Sequence, residues 1–281
     1  MSDARLIRRW RQSPGRKPAG VPAVLIALAV AGALSACGST PNDESAGWTT
    51  EKLYAEARED IRSGNNDRAI RLLERLEGRA AGTLLAQQAQ LDRAHLLYKT
   101  GERAQALAVL ERFIRLNPTS PAFDYALYLQ GLSNFNDNLG VLSSVSRQDL
   151  SERDQQASRE AWQSFRRLIQ EFPQSRYAED ARLRMNYIVN SLAAYELHVA
   201  RYYFRRGAFV AAANRAQKAV QEFQQSPTTE EALYLMAQSY DRLGLEPLRD
   251  DALRVLERNF PQSRFPTEGL RGPEKSWWQF W

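Results

Sequence analysis

Cys37 is the only cysteine of the chain, and its surroundings determine what its thiol can do. It follows Leu34-Ser35-Ala36 at the end of an apolar run over residues 21–34, and five arginines and one lysine precede that run against a single acid. A basic segment, a short apolar segment and small residues before a cleavage point are typical of a secretory signal peptide. The run is 14 residues long, whereas a membrane-spanning helix needs roughly 20. The sequence therefore predicts that residues 1–36 form a targeting segment that is removed.

The segment that ends at Cys37 resembles a bacterial lipoprotein signal with its lipobox. The resemblance implies that a diacylglyceryl group alkylates the thiol of Cys37, that the chain is cut before this residue, and that its new amine is acylated. Gly38 stands where such lipoproteins carry an aspartate if they stay at the inner membrane, so the resemblance implies the outer membrane. The alternatives are a plain cleavable signal or a short N-terminal anchor. Residues 38–47 are small and polar, so residues 37–48 are interpreted as the lipidated cysteine and a flexible tether.

The charge balance argues against a nucleic-acid partner. Six of the 38 basic and one of the 33 acidic side chains lie in residues 1–36, so 32 of each remain in the other 245 residues. The basic character of the chain thus belongs to the targeting segment, and no basic cluster elsewhere suggests nucleic-acid binding.

The sequence offers no pattern that predicts catalysis. It contains no phosphate loop, dinucleotide fingerprint, HExxH motif or nucleophile elbow. Its two histidines, His95 and His198, lie in apolar helical patterns and are too few for most metal sites. We expect no catalytic residue, no metal site and no cofactor beyond the covalent lipid on Cys37.

A repeated turn motif organises the rest of the chain. The segment 171–177, EFPQSRY, recurs as NFPQSRF at 259–265, with weaker copies at 222–226 and 116–119. Glycines mark a second register, because Gly64 and Gly101 are 37 residues apart and so are Gly207 and Gly244. A rhythm of glycine, small alanine, large apolar residue and proline is typical of tetratricopeptide repeats, whose period is about 34 residues.

Each element of this rhythm has a physical role. Glycine ends the first helix of a pair in a left-handed turn, alanine allows close approach of the second helix, and proline stops that helix. Ser175 is predicted to cap the helix that follows. No pair buries its apolar face alone, so we expect an all-α solenoid of about five helix pairs. A long unbroken helix is expected near 178–206.

The predicted organisation is N-terminal repeats over 49–133 and C-terminal repeats over 134–265, with an inserted loop near 134–152 and an aromatic-rich tail over 266–281. In the tail, Trp277, Trp278, Phe280 and Trp281 are interpreted as docking on a partner or on the membrane interface. The alternatives are a loose tail, or a segment that occupies a groove of its own or a neighbouring molecule.

Two longer strings resemble the BamD family of tetratricopeptide lipoproteins, which belong to the machinery that assembles outer-membrane β-barrels. The first string is 112–132, with Asp124-Tyr125, Tyr128 and Gly131-Leu132. The second is 195–215, with Tyr195-Glu196, Tyr202-Tyr203 and Asn214-Arg215. The resemblance implies a periplasmic scaffold whose C-terminal repeats bind a BamA-like barrel protein and a BamC-like lipoprotein. Its N-terminal repeats would meet the C-terminal signal of unfolded outer-membrane proteins.

The resemblance also implies the binding residues. Arg215 matches a family arginine at the contact with the BamA-like protein, with Tyr195, Glu196, Tyr202 and Tyr203 as its neighbours. An internal ion pair of Arg215 with an acid of a neighbouring helix is the alternative. For the substrate groove we predict four tyrosines, Tyr54, Tyr98, Tyr125 and Tyr128, for which ordinary repeat packing is the alternative. Rival functions are a secretin pilotin or a protease or cell-wall adaptor; a lipoprotein enzyme with a helical domain is disfavoured.

Overall fold

The computed structural model describes residues 45–135 and 152–270, and the regular structure in these ranges is helical. Eleven helices follow one another there: α1 Thr50–Ser63, α2 Asn66–Arg79, α3 Leu84–Lys99, α4 Arg103–Leu116, α5 Phe123–Asn134, α6 Glu152–Glu171, α7 Ala178–Arg205, α8 Phe209–Glu222, α9 Thr229–Arg242, α10 Glu246–Asn259 and α11 Phe265–Glu268. Among these helices none has the combination of length and hydrophobicity needed to cross a bilayer. The described residues from Thr49 onward form one compact unit.

The first ten helices pack as five consecutive pairs, from α1–α2 to α9–α10, and each pair packs on the next. This arrangement confirms the prediction of an all-α stack of five helix pairs. Helix α7 has 28 residues where most others have 14, which confirms the expected long helix. Its first half packs on α6 and its second half on α8.

The predicted glycine turns are present. Four glycines, Gly64, Gly101, Gly207 and Gly244, have φ between 71° and 87°. Residues with a Cβ rarely adopt these angles. After α3, the Gly101 N–H donates to the carbonyl of Tyr98 at 3.1 Å and the Glu102 N–H donates to that of Leu97 at 2.8 Å. These two bonds satisfy the last carbonyls of α3 and reverse the chain into α4.

The prediction that Ser175 is the N-cap residue of the following helix is wrong. Helix α7 begins at Ala178, and its N-cap residue is Tyr177, which makes no side-chain capping bond. Ser175 instead forms a turn before the helix, where its Oγ accepts the N–H of Tyr177 at 3.2 Å and donates to Asp124 at 2.7 Å. Ser120, Ser226 and Ser263 accept the N–H two residues later in the same way. The repeated motif is therefore a serine turn that joins two pairs.

Small residues allow the paired helices to approach closely, as predicted. Ala69, Ala106, Ala161 and Ala212 are completely buried. Gly131 in α5 is a further contact of this kind, since a Cβ at this position would lie 2.6 Å from Cδ1 and 2.7 Å from Cζ of Phe165 in α6. These contacts hold the two helices of each pair together. We call the solvent-facing surface of the first helices α1, α3, α5, α7 and α9 the first-helix face.

Candidate protein-binding sites

Tyrosines from two helix pairs meet on the first-helix face. The rings of Tyr128 in α5 and Tyr177 stack with centroids 4.6 Å apart, and Tyr125 lies 5.4 Å from Tyr177. Beside them is an open groove of about 650 Å³, whose walls come from α3, from α5 and from the Ser175 turn. We call this site the tyrosine groove.

The phenol groups of this cluster are held by polar partners. Tyr128 donates to Asp180 at 2.7 Å, and Arg184 donates to the same carboxylate at 2.6 Å. Tyr125 lies 2.8 Å from Nδ1 of His95. Burial raises the pKa of Tyr125 and of Tyr128 to about 12, and the bond to Asp180 adds to the effect for Tyr128. Burial opposes ionisation of Asp180, but the bonds from Arg184 and Tyr128 outweigh it and lower the pKa of this carboxyl.

The four predicted groove tyrosines do not all lie together. Tyr125 lines the groove and Tyr128 stacks on the ring that closes it. Tyr54 reaches the rim from α1, because it donates to Asp92, a groove residue, at 2.8 Å. Tyr98 packs half-buried against the core cluster of α3, α4 and α5, as ordinary repeat packing requires.

Sequence reasoning missed Tyr177 as a site residue. The signal was present in the repeated motif, since Tyr177 and Phe265 occupy the same place in its two strongest copies. An aromatic residue at this place projects from the turn onto the preceding first helix. Arg176 adds a cation beside it, with its guanidinium 4.9 Å from the Tyr177 ring centroid.

The tyrosine groove combines aromatic faces with charges of both signs. Asp92, Asp124 and Arg176 line it together with Tyr125 and Tyr177. Such a surface suits the binding of an extended peptide with aromatic side chains. Within the described ranges no cluster of three or more histidine, cysteine or acidic residues has the arrangement to hold a metal ion.

A second candidate site surrounds Glu196 in the C-terminal half of α7. Glu196 is 1% exposed, and its two carboxylate oxygens accept Arg215 at 3.0 Å and Lys218 at 2.5 Å, both from α8. This is the internal ion pair that the sequence left as the alternative for Arg215. The hydrogen bond with Glu196 raises the pKa of Arg215. Two cations on one buried acid leave a net positive charge at the surface.

The remaining predicted neighbours of Arg215 lie along the same half of α7. Tyr195 is half-buried, and Tyr202 is exposed with its ring 5.7 Å from that of Tyr203 in an edge contact. Arg206 lies over the Tyr202 ring at 5.5 Å. Tyr202 and Arg215 are thus accessible to a partner, whereas buried Glu196 orients Arg215 from inside. Cys37, the inserted loop from residue 136 to 151 and the aromatic residues from Trp277 onward lie outside the described residues.

Comparisons with known proteins identify the family. A family model described as YfiO, outer membrane lipoprotein, matches residues 47–256. The chain is 45% identical to the outer membrane protein assembly factor BamD of Neisseria meningitidis serogroup A over 92% of this chain and 98% of that protein. The BamD of Neisseria gonorrhoeae is 44% identical over the same shares, and that of Xylella fastidiosa strain Temecula1 is 36% identical over 79% of this chain and 76% of its own.

Among solved structures, that of the MamA protein aligns with 81% of this chain and all of its own at 18% identity, with a TM-score of 0.37. That score is too low to support an inference. The family model and the relatives each span most of the described repeats, and the range that the family model matches includes Tyr125 and Arg215. The chain belongs to the YfiO family of outer membrane lipoproteins.

Proposed function

We propose that the chain is an outer-membrane lipoprotein that serves as a scaffold in the assembly of β-barrel proteins and their insertion into the outer membrane. The observation that carries this proposal is the 45% identity to a protein named as a BamD assembly factor, over nearly the whole of both chains. Five helix pairs with polar and aromatic outward surfaces suit protein binding rather than catalysis.

The lipid anchor is part of the proposal. Acyl chains on Cys37 hold the protein at the periplasmic face of the outer membrane, and residues 38–47 tether the helical unit to them. The basic and apolar segments before Cys37 support this assignment, as does the description of the family as lipoproteins.

The substrate segment binds in the tyrosine groove. An unfolded barrel protein offers an extended segment with aromatic residues, and the rings of Tyr125 and Tyr177 offer stacking surfaces. Asp92, Asp124 and Arg176 bind its polar backbone or its charges. Tyr54 and Tyr128 support this site through their bonds to Asp92 and Asp180.

The C-terminal repeats bind the other components. Arg215 pairs with an acid on the periplasmic domain of a BamA-like protein, and Tyr202 and Tyr203 contribute from the end of α7. A BamC-like lipoprotein binds the same half of the chain. Pre-orientation by Glu196 favours such a pair, because the guanidinium loses less side-chain freedom on binding.

Affinity purification of the lipidated protein from membranes tests the assembly role. Recovery of a large outer-membrane barrel protein with a periplasmic domain would support it. Recovery of a secretin instead would identify a pilotin, and recovery of a periplasmic protease or a cell-wall enzyme would identify an adaptor.

A peptide titration tests the tyrosine groove. We expect Tyr177→Ser to weaken binding of a peptide that ends in a barrel-type aromatic signal by about tenfold, which is about 1.4 kcal/mol. Tyr202→Ser is the matched control, because it makes the same change in an exposed tyrosine at the other end of α7. Equal affinities of the two variants would refute the site.

A further inference from the structure

The tyrosine groove contains a cation that has no carboxylate partner. Among the described residues that line the groove, Arg176 is the only arginine or lysine, whereas Asp92 and Asp124 are acidic. The Arg176 side chain is exposed, and its guanidinium donates to the hydroxyl of Tyr177 at 2.7 Å. It forms an ion pair with no carboxylate of the described residues, and Asp124 attracts it only from a greater distance. Because a guanidinium has five N–H donors in a planar fork, most of its donors remain for a ligand.

The two acids of the groove, in contrast, already have partners. The carboxylate of Asp92 accepts the hydroxyl of Tyr54 at 2.8 Å and, at the same distance, a glutamine amide one turn earlier in α3. One oxygen of Asp124 accepts the hydroxyl of Ser175 and the other accepts the N–H of Tyr125, each at 2.7 Å. Their negative charge persists, so the groove disfavours acidic side chains of a ligand everywhere except beside its arginine.

A comparison with the last copy of the repeated motif explains why Arg176 lacks an internal partner. Arg264 occupies the same place in that copy, and the carboxylate of Glu268, four residues later, lies 4.0 Å from its guanidinium. Four residues after Arg176 stands Asp180, whose carboxylate instead accepts Tyr128 and an arginine of α7. The bond that orients Tyr128 in the aromatic cluster therefore leaves Arg176 available to a ligand.

This cation lies beside an aromatic surface. The guanidinium carbon of Arg176 is 4.9 Å from the ring centroid of Tyr177, and the ring of Tyr125 is 5.4 Å from that of Tyr177. The last residue of a peptide carries its side chain and its α-carboxylate on the same Cα. A C-terminal aromatic residue can thus place its ring on the tyrosines and its carboxylate on the guanidinium at once. An internal aromatic residue offers only a neutral carbonyl at that place.

We propose that Arg176 binds the free α-carboxylate of the substrate, so that the tyrosine groove selects the end of an unfolded chain over its internal segments. The N–H fork donates to both carboxylate oxygens, and the terminal aromatic ring lies on Tyr177. This assignment rests on the proposed function of the groove and names the group that the groove recognises. Since every chain has one such carboxylate whatever its sequence, the contact suits many substrates.

Two peptides and one variant test the proposal, with the full-length protein in detergent. Both peptides end in the same alternating aromatic sequence, one with a free carboxylate and the other with an amide. We expect amidation to weaken binding to the unaltered protein by about tenfold. Arg176→Gln should bind both peptides as weakly as the unaltered protein binds the amide. Fluorescence anisotropy titration measures the four dissociation constants.

Arg206→Gln is the matched control, because Arg206 is also exposed and lies over a tyrosine ring, that of Tyr202, at 5.5 Å. This variant should keep the tenfold preference for the free acid. Equal affinities of the unaltered protein for the two peptides, or the same preference in Arg176→Gln, would overturn the proposal and leave the groove a peptide site. Absence of binding of either peptide would overturn the proposed site itself, and the carboxylate contact with it.

A third peptide distinguishes a chain end from an acidic side chain. It carries an aspartate after the last aromatic residue and ends in an amide, so its added carboxylate belongs to a side chain. We expect it to bind as weakly as the plain amide, because the ring and the carboxylate no longer belong to one residue. Recovery of the tenfold loss with this peptide would show that the groove accepts any carboxylate and would overturn the selection of chain ends.

Discussion

At the scale of single residues, the chain uses carboxylates of α7, buried at Glu196 and half-exposed at Asp180, to orient neighbouring side chains. Glu196 holds Arg215 and Lys218, and Asp180 holds Tyr128 and Arg184. In each case the acid and at least one partner come from different helices. The charged side chains therefore fix both a helix contact and the direction of a surface group.

Arg215→Gln removes one of the two cations from buried Glu196. We expect the free energy of unfolding to fall by about 1–2 kcal/mol, because Lys218 still compensates the carboxylate. Replacing Lys218 by methionine as well leaves the buried charge without a partner, and the loss should reach about 3–5 kcal/mol. Urea unfolding of the single and double variants measures both values.

Binding measurements on variants of Arg215 and Glu196 distinguish a contact of Arg215 with a partner from a purely internal role. If Arg215 pairs with a carboxylate of the BamA-like periplasmic domain, Arg215→Gln should weaken that complex by tenfold or more. Glu196→Gln disturbs the same internal pair but keeps the guanidinium, so it should weaken the complex less. Calorimetric titration compares them, and equal losses would assign Arg215 a structural role alone.

Alkaline pH should lower the free energy of unfolding through the tyrosines of the tyrosine groove. The pKa of Tyr125 and of Tyr128 is raised to about 12 in the folded protein, against about 10 in an unfolded chain. The folded state thus binds these protons more tightly, so their stabilising contribution is complete below pH 10 and is lost between pH 10 and 12. Urea unfolding across this range should show the decline, and Tyr128→Phe should make it shallower. An unchanged slope in that variant would contradict the assignment.

At the scale of the helices, glycines in turns and glycines inside helices have different structural roles. Gly64, Gly101, Gly207 and Gly244 have positive φ and follow first helices, whereas Gly131 lies inside α5 and provides space for Phe165. Gly78 does neither, because it lies in α2 with open space where a Cβ would stand. Substitution by alanine should therefore have three different effects on stability.

Gly101→Ala should lower the free energy of unfolding by about 1 kcal/mol, because its φ of 87° is unfavourable for a residue with a Cβ. Gly78→Ala is the matched control and should raise it by about 0.5 kcal/mol through helix propensity. Parallel thermal and urea unfolding compares the two, and effects of the same sign would contradict the turn argument.

Gly131→Ala should be more damaging, at about 2–3 kcal/mol, since the new Cβ would overlap the ring of Phe165. Phe165→Leu should recover part of this loss when it is combined with the glycine substitution, although alone it costs stability by leaving a cavity. A double-mutant cycle measures the coupling. Simple additivity of the two changes would show that the close approach is not the cause.

At the scale of the whole molecule, the anchor and the helical unit have separate tasks. The helical unit presents the tyrosine groove on its first-helix face, and the proposed lipid on Cys37 attaches the protein to the membrane. We expect the helical unit to fold without the anchor, since the core of the described residues is formed by its own helices and joins neighbouring pairs.

Cys37→Ala should therefore release the protein from the outer membrane or leave it with an uncleaved signal, while its helical content stays the same. Several acyl chains bind a membrane far more firmly than one, so their loss removes the anchor. Membrane fractionation and circular dichroism measure the two effects, with Gly38→Ala as a control that should keep its location. Tight outer-membrane association of the processed but unlipidated protein would argue against the anchor.

The sequence by itself determined the class of fold and the places where helices end. Glycine, alanine and proline act on their own turn or on the nearest helix, so their effects follow from local spacing, as at Gly101 and Ala106. The family strings around Tyr125 and Arg215 were also readable without coordinates, and with them the family to which the chain belongs.

Only the tertiary structure decided which side chains meet. Tyr128 and Asp180 are 52 residues apart, and Tyr177 faces Tyr128 because the serine turn directs it back onto α5. Burial of Glu196 and the inward place of Tyr98 depend on how α7 and α3 are rotated in the stack. Rotation of a helix is set by the packing of all its neighbours at once, whereas repeat spacing specifies only the order of the helices and the turns between them.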